Sequence, residues 1–428
     1  MKEFLILLIY RTLLPILFII AFPGWIVKMI RRDGFGTGLG ERIGIYTSAP
    51  NSEPTGAIHL HAISVGETIL ALKLLREWQS AHPGTRFVLA TGTSTGHDTA
   101  SRAGIPDLRV TYSPLDFPWM IRRYLNRFEP SRIILIEGEI WPNFLRIAKK
   151  RQIPVILANA RVSPRSAKRF LKFAPLLRPL FGRLYAVCIQ EEDHRSLWQE
   201  LGISSKNIHL TGSIKFDPQS SAAPAPRPDF AEMLAAFGSN RPIVLAASTF
   251  PGEETLLASA IYAAAPIALP VIVPRHAERR SEVTQALTKA GFHVTLRSKF
   301  NPPSFKNDVF VIDSTGELAT WISHADVVII GKSFLSIGGQ NPAEAILANK
   351  PLILGPHMEN FQPLVRHLHA SGGALLAETE TEISSAIRRA LAPATATSLT
   401  ENATRILAQQ EGATRRHLKV LHPKTKPA

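Results

Sequence analysis

Short, continuous apolar runs rich in β-branched residues alternate along the chain with longer stretches whose apolar positions recur every three to four residues. Runs of the first kind occupy 57–64, 86–91, 108–112, 132–136, 154–159 and 184–190, with helical patterns such as 68–80, 120–128 and 144–152 between them. Strands apolar on both faces and separated by helices belong to parallel sheets covered on both sides, the βαβ arrangement. After a break rich in Pro and small residues, SSAAPAPRP at 220–228, the alternation resumes with runs at 242–246, 267–273, 309–312, 327–330 and 351–354. The break has the composition of a linker. The pattern therefore predicts an α/β protein of two lobes built alike, 33–219 and 229–428, the second including the C-terminal helices. Doubly wound lobes bind ligands beyond the carboxyl ends of their strands, which makes a cleft between two of them the default site.

One stretch fits neither period. Residues 4–30 are almost wholly apolar, 12–27 carry no charge, and Lys28, Arg31 and Arg32 follow. A spanning helix needs about 20 apolar residues; here Arg11 would have to snorkel, and Pro15 and Pro23 would kink the segment. A cleaved signal peptide needs a small-residue site after the apolar run, and Gly24-Trp25-Ile26-Val27 leads straight into basic residues instead. Residues 1–32 thus read as an uncleaved membrane anchor, spanning or lying in the interface, with the basic flank placing the rest on the cytoplasmic side.

The 428 residues are 45% hydrophobic and 19% charged, a composition that excludes a disordered, collagen-like or coiled-coil chain and supplies two sizeable cores. Forty-nine Lys and Arg against 34 Asp and Glu leave +15, which favours anionic partners: nucleic acid, phosphorylated substrates or an acidic membrane surface. No RNP, zinc-finger or helix-turn-helix signature accompanies the charge, so nucleic acid is not expected. Cys188, the single cysteine, permits no internal disulfide and sits in an apolar run as a small core residue.

Candidate chemistry clusters at the ends of the expected strands. In HAISVGE, 61–67, Ser64 and Glu67 have capping-box spacing, while a carboxylate at that edge is also placed to act as a general base. In EGEIWPN, 137–143, Glu137 and Glu139 lie at alternating positions with no D-x-D or His cluster, so a metal is not expected and one of the two should enter the site. ANARVSPRSAKRF, 158–170, continues through Lys172, Arg178 and Arg183 as a basic face interleaved with Phe170, Phe173, Leu176 and Leu177, either solvated or facing lipid phosphate. Lys215 in TGSIKFD, 211–217, is either a surface lysine or a partner for an anionic sugar or phosphate.

The second lobe offers Pro274 and Arg275 directly after a strand, DSTGEL at 313–318 with S-x-x-E spacing, and GGQNPAEAI at 338–346. In the last, Asn341 fits an N-cap, Pro342 the first helical position and Glu344 the third. Three helix N-termini with Arg275 suit a nucleotide phosphate without a P-loop.

Taken in order, GERIG (40–44), SVGE (64–67), EGEIWPN, NARVS (159–163), TGSIKFD, PRH (274–276), TGEL (315–318) and NPAEA (341–345) resemble the membrane-anchored 3-deoxy-D-manno-octulosonic acid (Kdo) transferases of Gram-negative bacteria. The resemblance implies a GT-B fold, CMP-Kdo as donor, lipid A or its tetraacyl precursor as acceptor, and a place at the inner membrane. By motif it implies Glu67 as general base, Glu137 and Lys215 as stabilisers of the transition state, and Pro274, Arg275, Thr315, Gly316, Glu317, Asn341, Pro342, Ala343 and Glu344 as the CMP site. Gly138 stands where the family usually has Thr, and Lys332 where a second Gly after Gly331 is common. The chemistry is self-consistent: the acceptor hydroxyl must lose a proton, the anomeric carbon gains oxocarbenium character, and CMP leaves with one phosphate, which needs no metal. The rivals are another GT-B enzyme using a UDP-sugar on a lipid-linked acceptor, and a non-catalytic membrane-tethered lipopolysaccharide-binding protein.

Overall fold

A computed structural model of the protein describes residues 2–31, 38–46, 55–138, 140–217, 226–301 and 308–422. Glu139 and most of the 220–228 linker lie outside them. The chain divides into two compact units, Met1–Lys215 with Gly412–Ala428, and Phe216–Glu411.

The first lobe is a seven-stranded parallel sheet: β1 (Ile58–Ala62), β2 (Phe87–Thr91), β3 (Leu108–Tyr112), β4 (Arg132–Ile136), β5 (Val155–Ala160), β6 (Ala186–Ile189) and β7 (Ile208–Leu210), in the order β3-β2-β1-β4-β5-β6-β7. The unbroken apolar runs have the meaning expected of them. On β4, Ile133 and Leu135 join a core with Tyr124, Phe128 and Phe144, while Ile134 and Ile136 join the opposite one with Leu74 and Trp78. Alternate residues of one strand feed two helical layers, so the four positions after Arg132 are all apolar and buried.

The second lobe repeats the plan with β8 (Ile243–Thr249), β9 (Leu269–Pro274), β10 (His293–Leu296), β11 (Asp308–Val311), β12 (Val327–Ile330), β13 (Leu352–Leu354) and β14 (Leu375–Leu376), ordered β10-β11-β9-β8-β12-β13-β14. Here Val328 and Ile330 face the core of Phe230, Phe310 and Trp321, and Val327 and Ile329 face that of Leu257, Ile261 and Leu287. Every long run read as a strand is one, to within two or three residues at either end. Three strands lacked an apolar signal, β7, β10 and β14; each stands near a sheet edge and is two to four residues long.

One boundary differs from the sequence reading. The C-terminal helix, Ala413–Leu421, belongs to the first lobe and not to the second: Leu418 and Leu421 pack into the core beside Trp78, and Arg415 pairs with Glu77 at 2.8 Å. The second lobe is in effect inserted between the body of the first and its last helix.

The N-terminal segment is a helix, Lys2–Arg31, with Pro15 and Pro23 inside it. It packs against helices Pro142–Lys150 and Ala174–Phe181 of its own lobe. Tyr10 Oη donates to Asp116 Oδ2 (2.9 Å), Arg11 Nε to Asn143 Oδ1 (2.9 Å), and Phe18 meets Phe117 edge-on at 5.8 Å. Leu8, Leu13, Ile16, Leu17, Ile19 and Ile20 remain exposed. Among the described residues no helix is long and apolar enough to cross a membrane.

Candidate functional site

In each sheet the chain turns back on itself at one place, and there the loops leaving two neighbouring strands diverge to open a crevice. In the first lobe these strands are β1 and β4. Glu67 lies just after β1 and Glu137 just after β4, so the topology sets both carboxylates at the switch point.

Glu67 completes the capping box read from its spacing: its Nα donates to Ser64 Oγ (3.2 Å), and its Oε2 accepts from Ser64 N (3.2 Å) and Ile63 N (2.6 Å). The cap and the proposed base are therefore the same carboxylate, half-buried and fixed in direction by two backbone donors. Asn159 donates through Nδ2 to Glu137 Oε1 (3.4 Å). Glu137 itself takes a left-handed backbone, φ 62°, stitched to the next strand by Glu137 N to Ala158 O (2.9 Å) and Arg161 N to Glu137 O (3.1 Å). Such a conformation costs a non-glycine residue energy and persists where its surroundings over-determine it. A side chain at Gly138 would meet only Arg161 O at 3.5 Å, an ordinary contact.

Lys215 lies in the short 3-10 turn Ile214–Phe216 beyond β7. Burial pushes its ammonium down to about 8, against the pull of the Glu137 carboxylate, with Arg161 adding a smaller push downward. Those influences bring Glu137, Arg161 and Lys215 into one charged cluster. A lysine within reach of deprotonation at neutral pH is a poor choice for a purely structural cation and a useful one for a charge applied at a reacting centre.

In the second lobe the turning point lies between β8 and β12. Gly331 passes so close to Ser248 that a Cβ would fall 2.7 Å from its carbonyl oxygen. Lys332 holds φ 54°, the conformation a glycine adopts without cost, and its ammonium sits 4.9 Å above the Phe250 ring. Beneath both loops is Glu253, fully buried. Its Oε2 accepts from Phe250 N (2.9 Å) and Lys332 N (2.6 Å), its Oε1 from Phe334 N (3.1 Å).

The proposed CMP residues stand at the carboxyl ends of neighbouring strands. Pro274 ends β9, and Arg275 follows it exposed, anchored by its N–H to Thr249 O (3.0 Å). Burial pushes the Glu344 carboxyl up, and the charge of Arg275 partly offsets this. Thr315 and Gly316 form an exposed turn after β11, Gly316 at φ 86°.

Local geometry departs from expectation in two places. Glu317 is not the third residue of a capping box: it is itself the N-cap of Leu318–Ser323, bonds Ser314 through its side chain, and pairs with Arg297 at 2.8 Å. The last helix starts one residue late, at Ala343, with Pro342 as N-cap and Asn341 Oδ1 accepting from Ala343 N (3.1 Å). These helices run only six and five residues, and a 3-10 turn, Ala277–Arg279, precedes Arg280–Lys289. Weak macrodipoles follow, leaving Arg275 and exposed loop N–H groups as the stronger elements for an anion. Among the described residues no three His, Cys, Asp or Glu converge as a metal site requires.

Asn159, Arg161, His417 and Glu253 had no separate role in the sequence reading. Asn159 and Arg161 were visible as part of NARVS at a strand end, but read there as the start of a basic face.

Residues 37–218 match the family model for 3-deoxy-D-manno-octulosonic-acid transferase (kdotransferase). The 3-deoxy-D-manno-octulosonic acid transferase of Haemophilus influenzae is 34% identical over 340 residues, 79% of each chain. The chain belongs to this family. The Bordetella pertussis Kdo transferase is 32% identical over 429 residues, 96% of each chain, so the likeness runs through both lobes. A glycosyltransferase of Rickettsia africae, 12% identical with a TM-score of 0.58 over 85% of this chain and 97% of that one, shares the fold. Two Rossmann-like lobes of the GT-B class on a Kdo transferase sequence make the protein a glycosyltransferase acting with a nucleotide-sugar donor.

Proposed function

We propose that the protein transfers Kdo from CMP-Kdo to lipid A or its tetraacyl precursor, with inversion, by a single displacement. The observation that carries this reading is the switch-point cluster of a Kdo transferase family member: two carboxylates, Glu67 and Glu137, at the ends of adjacent strands, with the partly buried Lys215 beside Glu137. Glu67 takes the proton of the acceptor hydroxyl. Two backbone N–H groups hold its carboxylate in place, so it acts without reorganising. Glu137 and Lys215 flank the anomeric centre, the carboxylate matched to oxocarbenium character and the ammonium to the sugar carboxylate and departing phosphate. Pro274, Arg275, Thr315, Gly316, Glu317 and 341–344 receive CMP, with Arg275 the fixed positive charge for its phosphate.

The same reading places the protein on the cytoplasmic face of the inner membrane, with the N-terminal helix lying in the interface. The support is physical. Tyr10 and Arg11 bind the body of the lobe, while a row of large apolar side chains faces outward. Leu171, Phe173 and Leu176, exposed among Lys168, Arg169 and Lys172, lie on the helices it packs against or next to them. Burying a side chain of that size is worth about 1.5–3 kcal/mol, and basic residues add about 1 kcal/mol each at an anionic surface.

Incubating the protein with CMP-Kdo and tetraacyl lipid A precursor, then weighing the product, tests the activity. A mass increase by whole Kdo units, inhibited by CMP and not by UDP, supports it; no product, or inhibition by UDP alone, overturns it. Flotation with anionic vesicles that survives high salt supports an apolar as well as an ionic hold on the membrane.

A further inference from the structure

Glu137 and Lys215 leave the sheet at different strands, one after β4 and the other beyond β7, and β5 lies between. Something must fix their separation. Asn159, at the end of β5, touches the chain on both sides. It is fully buried, takes φ 53°, and interrupts the pairing of β5 with β6 between Leu157 and Ala160.

All four of its polar groups have partners. Oδ1 accepts from Ile214 N (3.0 Å), the residue before Lys215. Nδ2 donates to Glu137 Oε1 (3.4 Å). The carbonyl accepts from Gln190 Nε2 (2.9 Å), and the N–H donates to His417 Nε2 (3.0 Å). Because a backbone N–H can only donate, the atom facing Ile214 must be oxygen, and the amide end facing Glu137 must then be the NH2. Asp lacks the donor, Ala lacks both ends, and a β-branched residue would not tolerate the left-handed backbone.

His417 is the support behind it. It comes from the C-terminal helix, 258 residues later in sequence, and is fully buried. Nδ1 faces Ala413 O at 2.8 Å, which requires the proton on Nδ1 and leaves Nε2 to accept from Asn159 N. Thr211 Oγ1 lies 3.1 Å from the same Nε2, tying in the start of the turn that carries Lys215.

We infer that Asn159, braced by His417, is a positioning residue of the transfer reaction, setting Glu137 and Lys215 in their working geometry through the two ends of one amide. This rests on the reading of those two residues as the groups that stabilise the transition state. Neither Asn159 nor His417 handles a proton of the substrate.

The test measures kcat, KM, melting temperature and the pH profile of full-length variants. Asn159→Ala lowers kcat by about 10²-fold, the scale of a catalytic group displaced by roughly an ångström, with KM changed by no more than about threefold. The alkaline limb of the kcat profile moves as well, because Lys215 loses its fixed distance to Glu137. In a Glu137→Gln background the same substitution costs much less, since it acts through the group already removed. His417→Phe follows Asn159→Ala in direction, and His417→Gln, which keeps an acceptor, recovers most of the lost turnover. Should Asn159→Ala melt too low to assay, Asn159→Asp replaces it, keeping the acceptor for Ile214 N and turning the donor to Glu137 into a carboxylate oxygen that repels it. Full additivity with Glu137→Gln, or kcat within about threefold of the parent in a folded Asn159 variant while Glu137→Gln alone is crippled, overturns the inference. Parent-like turnover in Glu137→Gln itself overturns instead the role of Glu137, and the inference with it.

Discussion

The two lobes carry a carboxylate at the same place. Glu67 enters the first helix after β1, Glu253 the first helix after β8, and each accepts from the backbone N–H three residues before it, Ser64 or Phe250. From there they diverge. Glu253 is fully buried, and its two oxygens gather N–H groups from two loops, holding Lys332 and Phe334 against the end of β8. Glu67 is half-buried, and its backbone donors converge on Oε2. One fold position thus serves as a structural tie in the second lobe and, in the function proposed above, as a chemical group in the first. A local signature of spacing identifies the position and not its use.

The sharpest test of the difference is Glu67→Gln. Gln is accepted at the third position of a capping box, so the cap survives, while the base is lost. Turnover should fall by about 10²- to 10⁴-fold, the usual worth of a general base, with CMP affinity and melting temperature unchanged. Activity close to the parent's would leave Glu67 with the same structural duty as Glu253.

Glu253→Ala probes the other side. It strands several buried N–H groups, each costing about 1–3 kcal/mol when unsatisfied, so unfolding in urea should show a loss of about 3–5 kcal/mol, far beyond any effect of Glu67→Gln on stability. CMP binding, measured by calorimetry, should weaken as the 331–335 loop is released. A variant as stable as the parent would show that water replaces the carboxylate there.

Lys215 extends the contrast to pH. With its ammonium pushed down to about 8 by burial, the charged form disappears as pH rises through that value. If the charge is what acts, kcat falls about tenfold between pH 7 and 9, and Lys215→Arg, less active at neutral pH because its planar fork fits differently, shows no such fall. A flat parent profile removes Lys215 from the chemistry.

The smallest effect concerns the first lobe's own structural carboxylate. Asp116 accepts from Asn143 N (2.9 Å), Phe144 N (2.8 Å) and Tyr10 Oη (2.9 Å), and burial pushes it up to about 6 from the ordinary 3.8. A carboxyl raised in the folded state contributes stability that is fully present below its unfolded value and is lost as pH rises through about 6. Between pH 4 and 7 the melting temperature of the parent should therefore drop relative to Asp116→Asn by several degrees. Parallel curves would mean that Asp116 stays ionised throughout.

The sequence was most legible where interactions are local. Strands such as β4 and β12 announce themselves through unbroken apolar runs, and Ser64 and Glu67 through spacing on one helix turn. The short edge strands β10 and β14 bury too little to leave a signal. Partners of Asn159 at Glu137, Ile214 and His417 are 22, 55 and 258 residues away, so no window on the chain holds them together. The helix 413–421 was legible as a helix, yet periodicity records which face is apolar and not which sheet will cover it.

That last helix has a consequence for how the molecule is made. The ribosome delivers β1 to β7 before the second lobe and Ala413–Leu421 after it. Until then the apolar floor that receives Leu418 and Leu421 is open, and the N–H of Asn159 waits for His417. The first lobe is thus begun before the second and finished after it, and a chain cut short before Ala413 would hold every strand of both lobes while the first lacked its brace.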